Sequence, residues 1–156
     1  MPVIRECQSE DLPQVETCFV ELQDFLHRLE PNVLEGKAAK QYFEFMLAYC
    51  AKTAGKVFVA EVDRQVVGFV CVWGKVSSEE LDEVPSEYAF ISDLVVLSQY
   101  RGQGLGRSLL ERAEAYACSL GVTKIQLQVL PTNTGALQLY SSEGFRTYHM
   151  LLTKDL

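Results

Sequence analysis

A glycine-rich segment, Gln99–Arg107, most constrains how this chain can fold, because of what lies on either side of it. An apolar run typical of a strand, Tyr88–Leu97, precedes it, and an amphipathic helical pattern, Ser108–Leu120, follows it. A turn with three alternating glycines between strand and helix exposes several backbone N–H groups beside the helix N-terminus. That end of a helix carries partial positive charge, so we predict that the turn binds a phosphate or pyrophosphate group.

Two better-known glycine motifs do not fit this segment. The dinucleotide-binding fingerprint Gly-x-Gly-x-x-Gly requires its third glycine one residue later than Gly106 and belongs in the first β-α unit of a domain. The Walker P-loop requires Gly-Lys-Ser or Gly-Lys-Thr, which is absent. A tight turn without a ligand is the remaining alternative, and it needs fewer glycines than this segment contains.

Length and charge limit the class of protein. A chain of 156 residues is expected to form a single domain, 1–156, with a core of its own. Its net charge of −7 argues against a nucleic-acid-binding protein, which needs a basic face, and favours a cationic small-molecule partner. No apolar run approaches the length of about eighteen residues that spans a membrane, and Met1–Glu6 is not typical of a signal peptide. We therefore expect a soluble cytoplasmic protein without a membrane partner.

The cysteines predict neither disulfides nor a metal site. There are five of them, at scattered positions and without a Cys-x-x-Cys pair. Most lie among apolar neighbours, so we expect small buried hydrophobic residues and no bound metal. The five positions are Cys7, Cys18, Cys50, Cys71 and Cys118.

Hydrophobic periodicity predicts a mixed α/β fold with the order β-α-α-β-β-β-α-β-α-β, a mixed sheet covered by helices. The predicted strands are Val3–Cys7, Val57–Val62, Val66–Trp73, Tyr88–Leu97, Lys124–Leu130 and Phe145–Leu152. The predicted helices are Ser9–Leu29, Glu35–Lys52, Arg107–Leu120 and a short one that begins at Thr132. The acidic stretch Gly74–Glu87 is expected to be an exposed loop.

Two motifs identify a family. The pattern Arg/Gln-x-x-Gly-x-Gly/Ala after the fourth strand is met by Arg101, Gly104 and Gly106. A second pattern, Asn-x-x-Ala-x-x-Leu-Tyr-x-x-x-Gly-Phe, is met from Asn133 to Phe145. With both motifs in register, the chain resembles the GNAT superfamily of acyl-CoA-dependent N-acetyltransferases. The order of the predicted elements fits that family, with splayed fourth and fifth strands, over nearly the whole chain.

The resemblance implies acetyl-CoA as cosubstrate and a set of residues that binds it. Backbone N–H groups of the glycine turn would hold the pyrophosphate, and free main-chain groups on the fourth strand would pair with the pantetheine arm. A main-chain N–H of Val95 or Val96 would be the oxyanion donor. Asn133 would contact the pantetheine or only cap the fourth helix. The implied cofactor-binding residues are Leu94, Val95, Val96, Arg101, Gly102, Gln103, Gly104, Leu105, Gly106, Arg107 and Asn133.

Tyr140 is the catalytic residue that the second motif implies. In many relatives the tyrosine at this position protonates the departing coenzyme A thiolate as a general acid. The alternative is a core aromatic residue whose hydroxyl only finds a local partner.

The catalytic base is less clearly implied. Many relatives use a glutamate on the fourth strand, but the aligned positions here are Phe90 and Ser92. The adjacent Asp93 is our candidate, since its apolar neighbours give a carboxylate reason for a raised pKa. The alternatives are a structural role for Asp93, bonded to a backbone N–H or to Arg101, and a water chain without a dedicated base. Lesser candidates are Glu87, His27 and His149.

The resemblance also indicates where the acceptor binds. In the family the pocket is built from the loop between the first two helices, here His27–Val33, and the segment before the fourth strand, here Ser77–Glu87. Carboxylates there would attract an amine cation, although such a run is also typical of a solvated loop. Aromatic residues that could line the pocket are Phe25, Tyr42 and Tyr88.

These observations predict an enzyme that transfers an acetyl group from acetyl-CoA to a primary amine of a small molecule, such as a polyamine, an aminoglycoside or an amino-acid derivative. No cysteine lies in the active-site motifs, which favours direct attack in a ternary complex over a covalent acetyl-enzyme. A protein lysine or N-terminus as acceptor, and a non-catalytic acyl-CoA sensor, remain the alternatives. Dimers occur in the family, so a homodimer is allowed.

Overall fold

Five strands form one mixed sheet, in the order β1-β2-β3-β4-β5, in the computed structural model, which describes residues 1–156. The first four strands run antiparallel to their neighbours, whereas β5 runs parallel to β4. A parallel pair needs a crossover connection, which here contains a helix. The strands are β1 (Val3–Glu6), β2 (Lys56–Val62), β3 (Gln65–Ser77), β4 (Glu87–Val96) and β5 (Ile125–Leu127).

Helices cover both faces of the sheet and divide the core in two. One core lies under the first two helices and contains Phe19, Met46 and Phe69, and the other lies under the third helix and contains Phe58 and Leu109. The helices are α1 (Leu12–Leu29), α2 (Lys40–Lys52), α3 (Leu105–Ser119) and α4 (Thr134–Ser142). This architecture confirms the predicted mixed α/β class. None of the helices combines the length and apolar character needed to cross a membrane.

A β-bulge on β4 exchanges the two faces of the strand. Val72 on β3 is paired with Ile91, but the next residue, Cys71, is paired with Asp93, so Ser92 is the extra residue. Ile91 therefore packs in the α3 core, whereas Val95 packs in the core under α1 and α2. Strict alternation would have placed both on one face.

Some predicted boundaries were wrong. Gly74–Ser77 belongs to β3, because the strand continues into a hairpin with β4, and only residues 78–86 form the loop. The second helix begins at Lys40 instead of Glu35, after a short 3-10 turn at Gly36–Ala38. The fifth strand covers only Ile125–Leu127, since its pairing with β4 ends there.

The predicted last strand, Phe145–Leu152, is absent. Residues 146–156 form no helix or strand and are exposed. Their apolar pattern suits a strand, but a strand forms only where a neighbouring strand pairs with its N–H and C=O groups. No other part of the chain makes a backbone hydrogen bond with this segment.

The cysteines are all free. Cys18, Cys50 and Cys71 are buried, which confirms the expectation of small core residues for those three, while Cys7 is half-buried and Cys118 exposed.

Candidate active site

β4 and β5 part at the bulge. They pair only over Ala89–Ile91, so the remainder of β4 has a neighbour on one side only, β3. The N–H of Leu97 donates to the Val67 carbonyl at 2.8 Å and thus points toward β3. Because main-chain groups alternate in direction along a strand, those of Val95 point toward β3, while those of Leu94 and Val96 face the gap.

This alternation corrects one predicted cofactor residue. The N–H and C=O groups of Val95 point toward its partner strand β3, so neither is available to a ligand in the gap. Leu94 and Val96 have groups on the open side, where the Val96 carbonyl also accepts a hydrogen bond from Arg101 Nε at 3.0 Å. The Val96 N–H is therefore the remaining candidate for an oxyanion donor.

The glycine turn has the geometry of an anion site. Gly102 and Gly104 have φ values of 80° and 79°, in the left-handed region that favours glycine, and Gly104 is the residue from which α3 begins. A Cβ at either position would meet no atom within 4 Å, so the space outside the turn is open. None of the N–H groups of residues 102–107 has an acceptor in the chain. The donors and the space suit a pyrophosphate at the N-terminus of α3.

The free donors of this turn are backbone N–H groups, because both nearby arginines have acidic partners. Arg107 Nε lies 2.7 Å from a Glu143 carboxylate oxygen. Arg101 Nη2 lies 3.9 Å from a Glu21 carboxylate oxygen, and its guanidinium lies over the Phe25 ring.

The other predicted cofactor residues have local roles. The Leu105 side chain is buried in the α3 core, so only its main chain is available, and the Gln103 side chain is exposed. Asn133 is the N-cap of α4, where its Oδ1 accepts a hydrogen bond from the Ala136 N–H at 3.4 Å. This is the capping role that the sequence left open, and the Asn133 side-chain amide donors have no partner in the chain.

Asp93 is a buried carboxyl group without a cationic partner. Its exposed fraction is 9%, and its Oδ2 accepts a hydrogen bond from the Tyr42 hydroxyl at 3.0 Å. Neither Arg101 nor any other cation pairs with it. Burial raises the pKa of Asp93 to about 7, against the opposing effect of its hydrogen bonds. A carboxyl group with that pKa exchanges protons near neutral pH, as a general base must.

Tyr140 lies on α4 with its ring against Phe145, at 5.7 Å between centroids. Its hydroxyl makes no hydrogen bond within the chain and is not one of the buried polar atoms that lack a partner, so it is accessible to a bound molecule. Burial raises the pKa of Tyr140 to about 12, and the negative charge of Asp93 adds to the effect. The hydroxyl therefore keeps its proton at neutral pH and is able to donate it.

Four aromatic side chains form a cluster on the α2 side of the sheet: Phe45, Tyr49, Trp73 and Phe90. Trp73 stacks on Phe90, its partner in the β3–β4 register, at 5.4 Å, and meets Tyr49 edge-on at 4.6 Å. Sequence reasoning missed this cluster, because its members come from three elements. We call it the aromatic cluster.

The acidic hairpin, residues 78–86, joins β3 to β4 beside this aromatic cluster. Tyr88 has a raised pKa, mainly from burial, with contributions from Tyr49 and from carboxylates of the hairpin. Those carboxylates, Glu79, Glu83 and Glu80, therefore lie close enough to act on groups at that end of the sheet. A cation that approached the aromatic cluster would experience their field.

The lesser base candidates lie in other surroundings. The ring of His27 contacts the Val33 carbonyl through Nδ1 at 2.6 Å and the Glu35 carboxylate through Nε2 at 3.6 Å, and so ties the end of α1 to the following loop. Glu87 is exposed at the start of β4, and His149 lies in the exposed C-terminal segment.

Comparison with known proteins agrees with this geometry. The model of the Acetyltransferase (GNAT) family matches residues 19–145. An uncharacterized N-acetyltransferase of Archaeoglobus fulgidus is 32% identical over 148 residues, which cover 92% of each chain. The L-2,4-diaminobutyric acid acetyltransferase of Nocardia farcinica is 29% identical over 81% of this chain and 60% of its own.

A solved structure shares the fold over the whole chain. The aminoglycoside N-acetyltransferase AAC(6')-Iy in complex with CoA superposes with a TM-score of 0.72, at 17% identity, over 100% of this chain and 95% of its own. The family match, the curated relatives and the shared fold lead to one conclusion. The chain belongs to the GNAT acetyltransferase family and is an N-acetyltransferase with acetyl-CoA as its cosubstrate.

Proposed function

We propose that this enzyme acetylates a primary amine of a small molecule by direct attack in a ternary complex, with Asp93 as general base and Tyr140 as general acid. The observation that carries the proposal is the state of Asp93, a buried carboxyl group with a pKa of about 7 and no cationic partner. Burial of an unpaired carboxyl group next to a gap in the sheet lowers the stability of the fold, but it gives the group a pKa suited to proton transfer near neutral pH.

The chain's own groups hold the cosubstrate at two places. The free N–H groups of residues 102–107 bind the pyrophosphate, with support from the α3 dipole. The main-chain groups of Leu94 and the second acceptor position of the Val96 carbonyl pair with the pantetheine amides in the gap, as an added strand would. When bound, acetyl-CoA supplies a thioester carbonyl carbon that an amine is able to attack.

Two side chains move the protons. Asp93 accepts a proton from the substrate ammonium group, directly or through one water, and the amine lone pair becomes available. The new N–C bond forms as the C–S bond breaks, while the Val96 N–H donates a hydrogen bond to the carbonyl oxygen as negative charge develops there. Tyr140 donates its proton to the leaving thiolate. The second proton that the nitrogen loses as the amide forms passes to the Tyr140 phenolate, directly or through water, and the proton on Asp93 is released to solvent.

Direct attack is favoured because the nearest thiol is a poor nucleophile. Cys71 lies opposite Asp93 in the β3–β4 register but is fully buried. The contact with Cys50 and burial hold the pKa of the Cys71 thiol well above its ordinary value, so the thiolate is scarce.

The acceptor is proposed to be a small amine with an apolar portion. The aromatic cluster would contact that portion, and the acidic hairpin would attract its cation. The similarity to a diaminobutyric acid acetyltransferase supports a small acceptor of this kind. We further propose that residues 1–156 act as one catalytic domain in the cytoplasm, where a reducing environment keeps five thiols free.

A panel of amines with acetyl-CoA tests this function, with release of the coenzyme A thiol as the readout. The panel contains polyamines, amino acids with side-chain amines, arylalkylamines, aminoglycosides, and peptides with a free N-terminus or a lysine. We expect turnover of small amines and little turnover of peptides. Preference for peptides would overturn the substrate class, and acetyl-CoA binding without turnover of any amine would favour an acyl-CoA sensor.

A further inference from the structure

The aromatic cluster, formed by Phe45, Tyr49, Trp73 and Phe90, is a continuous apolar surface that the chain covers only in part. Phe45 is 52% exposed, and the other three rings are half-buried. A cluster that only filled the core would be fully covered, whereas a contiguous exposed apolar surface marks a site where another molecule binds. The cluster therefore offers its outer side to an apolar group.

The four rings are arranged as two stacked pairs that meet nearly at right angles. Phe45 lies on Tyr49 with an angle of 19° between the ring planes, and Trp73 lies on Phe90 with an angle of 25°. Between the pairs, the angle is 87° for Phe45 with Trp73 and 69° for Tyr49 with Trp73. A further ring placed against this corner stacks on one pair and meets the other edge-on, and aromatic rings prefer these two arrangements. An aliphatic chain gains neither of them.

The aromatic cluster and Asp93 lie on one face of the sheet. In the β3–β4 register, Cys71 is paired with Asp93, and two residues further along β3, Trp73 is paired with Phe90. Cys71 packs in the core under α1 and α2, and side chains two residues apart in a strand share a face, so Trp73 points to that side as well. At ~3.3 Å per residue, the aromatic pair follows the pair that contains Asp93 by about 7 Å.

The helix α2 spans a similar distance on that face. Tyr42, whose hydroxyl is bonded to Asp93, is followed by Phe45 and Tyr49 at helical spacings of three and four residues. At ~1.5 Å per residue, these two rings lie about 5 and 10 Å along the helix from Tyr42. The strand and the helix thus both lead from the buried carboxyl group to the aromatic cluster within about 10 Å.

We propose that the acceptor is an arylalkylamine, whose ring packs on the aromatic cluster while its amine reaches Asp93. This acceptor class rests on the proposed function, because it takes Asp93 as the group that accepts the proton of the amine. A linker of about two to four carbons between nitrogen and ring spans the separation, since each bond of about 1.5 Å advances an extended chain by roughly 1.3 Å. The carboxylates of the acidic hairpin lie beside the cluster and disfavour an anionic substituent on the ring.

A series of amines with acetyl-CoA tests this acceptor class, with kcat/KM from release of the coenzyme A thiol as the readout. We expect phenylpropylamine to exceed cyclohexylpropylamine, which has the same linker and a ring of similar size without π electrons, by about threefold or more. Benzylamine, whose single linker carbon is too short, should be at least about tenfold poorer than phenylpropylamine. Equal kcat/KM for phenylpropylamine and either of the other two amines would overturn the proposal and leave the proposed function intact. Turnover of no amine at all would overturn both.

The variant Phe45→Ala tests the cluster directly, because Phe45 is its most exposed ring. Tyr148→Ala is the matched control, since Tyr148 is an aromatic residue of nearly equal exposure, 53%, outside the cluster. We expect Phe45→Ala to raise KM for phenylpropylamine by about 3- to 10-fold, while KM for propylamine and for acetyl-CoA stays within about twofold of the wild type. An equal effect on both amines, or an effect of the same size in Tyr148→Ala, would contradict the proposal.

Fluorescence gives a readout that does not depend on turnover, because Trp73 is the only tryptophan of the chain. In the presence of coenzyme A, phenylpropylamine should change the Trp73 emission in a saturable way, and Phe45→Ala should weaken this binding. Propylamine at the same concentrations should leave the emission unchanged. An emission that does not respond to phenylpropylamine at concentrations that saturate turnover would mean that the ring binds elsewhere, and would overturn the proposal.

Discussion

The Tyr42 hydroxyl donates a hydrogen bond to Asp93 Oδ2 at 3.0 Å, across a sequence separation of 51 residues. The bond joins α2 to the stretch of β4 that follows the bulge. Because the donor stabilises the charged carboxylate, this bond lowers the pKa of Asp93 against the larger effect of burial. The pKa of about 7 is the balance of the two effects.

Replacement of Tyr42 by phenylalanine should shift the pH profile of the enzyme. Without the hydroxyl the pKa of Asp93 rises, so the acidic limb of kcat/KM should move to higher pH by about one unit. The rate on the alkaline plateau should change less. Tyr116→Phe is the control, since that hydroxyl is bonded to the Ala54 carbonyl. An unmoved limb would show that Asp93 is not the group that titrates.

Replacement of Asp93 by asparagine should lower kcat/KM by about 10² to 10³-fold, because the base is lost while the shape of the site is kept. The acidic limb of the pH profile should disappear at the same time. Steady-state kinetics over the pH range would measure both effects. A rate close to that of the wild type would favour a water chain without a dedicated base.

The same substitution should change stability in a pH-dependent way. The folded-state pKa of Asp93 lies above the ordinary value of 3.8, so the folded state binds the extra proton, and the free energy of unfolding falls as pH rises from about 4 to about 7. Asp93→Asn removes this loss and should be more stable than the wild type above pH 7, by about 1–3 kcal/mol. Urea unfolding at acidic and alkaline pH would measure the difference.

Asp11 provides a control of opposite sign for that measurement. The Arg5 guanidinium, 2.7 Å from a carboxylate oxygen of Asp11, lowers the pKa of this carboxyl group. Its contribution to stability is therefore present above the unfolded pKa and is lost as pH falls. Asp11→Asn should destabilise the protein at neutral pH and have little effect in acid. The same sign for both variants would contradict our description of Asp93.

Replacement of Tyr140 by phenylalanine should separate chemistry from binding. The ring and its packing on Phe145 remain, so acetyl-CoA affinity and the melting temperature should stay close to those of the wild type. Without the proton donor, kcat should fall about 10 to 10²-fold. Titration calorimetry and steady-state kinetics would measure the two quantities. Unchanged kcat would remove Tyr140 from the mechanism.

A glutamate at Gly104 should abolish acetyl-CoA binding, because it adds bulk and negative charge where we place the pyrophosphate. The left-handed φ of 79° also makes the substitution strained. Gly121→Glu is a matched control, since Gly121 has a φ of 83° and open space around it but lies at the other end of α3. That variant should bear a similar strain and still bind acetyl-CoA. Equal loss of binding in both variants would argue for a general effect on the fold.

The sequence by itself determined the features that depend on neighbouring residues. The turn Gly102–Gly106 lies between an apolar strand and an amphipathic helix, so its position and its free N–H groups followed from local pattern. The order of the elements up to α4 followed from hydrophobic period in the same way, whereas the predicted last strand did not form. Asp93 and Tyr140 were named from a family pattern, and their catalytic roles stay predictions.

Only the tertiary structure decided the features that depend on which strands, distant in the sequence, pair with each other. The bulge at Ser92 turns Asp93 toward Tyr42, and it turns the main chain of Val96 instead of Val95 into the gap. The short β5 and the unpaired segment after Phe145 likewise depend on which strands meet. The physical reason is that a strand's hydrogen bonds and faces are set by its neighbour, and no local pattern contains that neighbour.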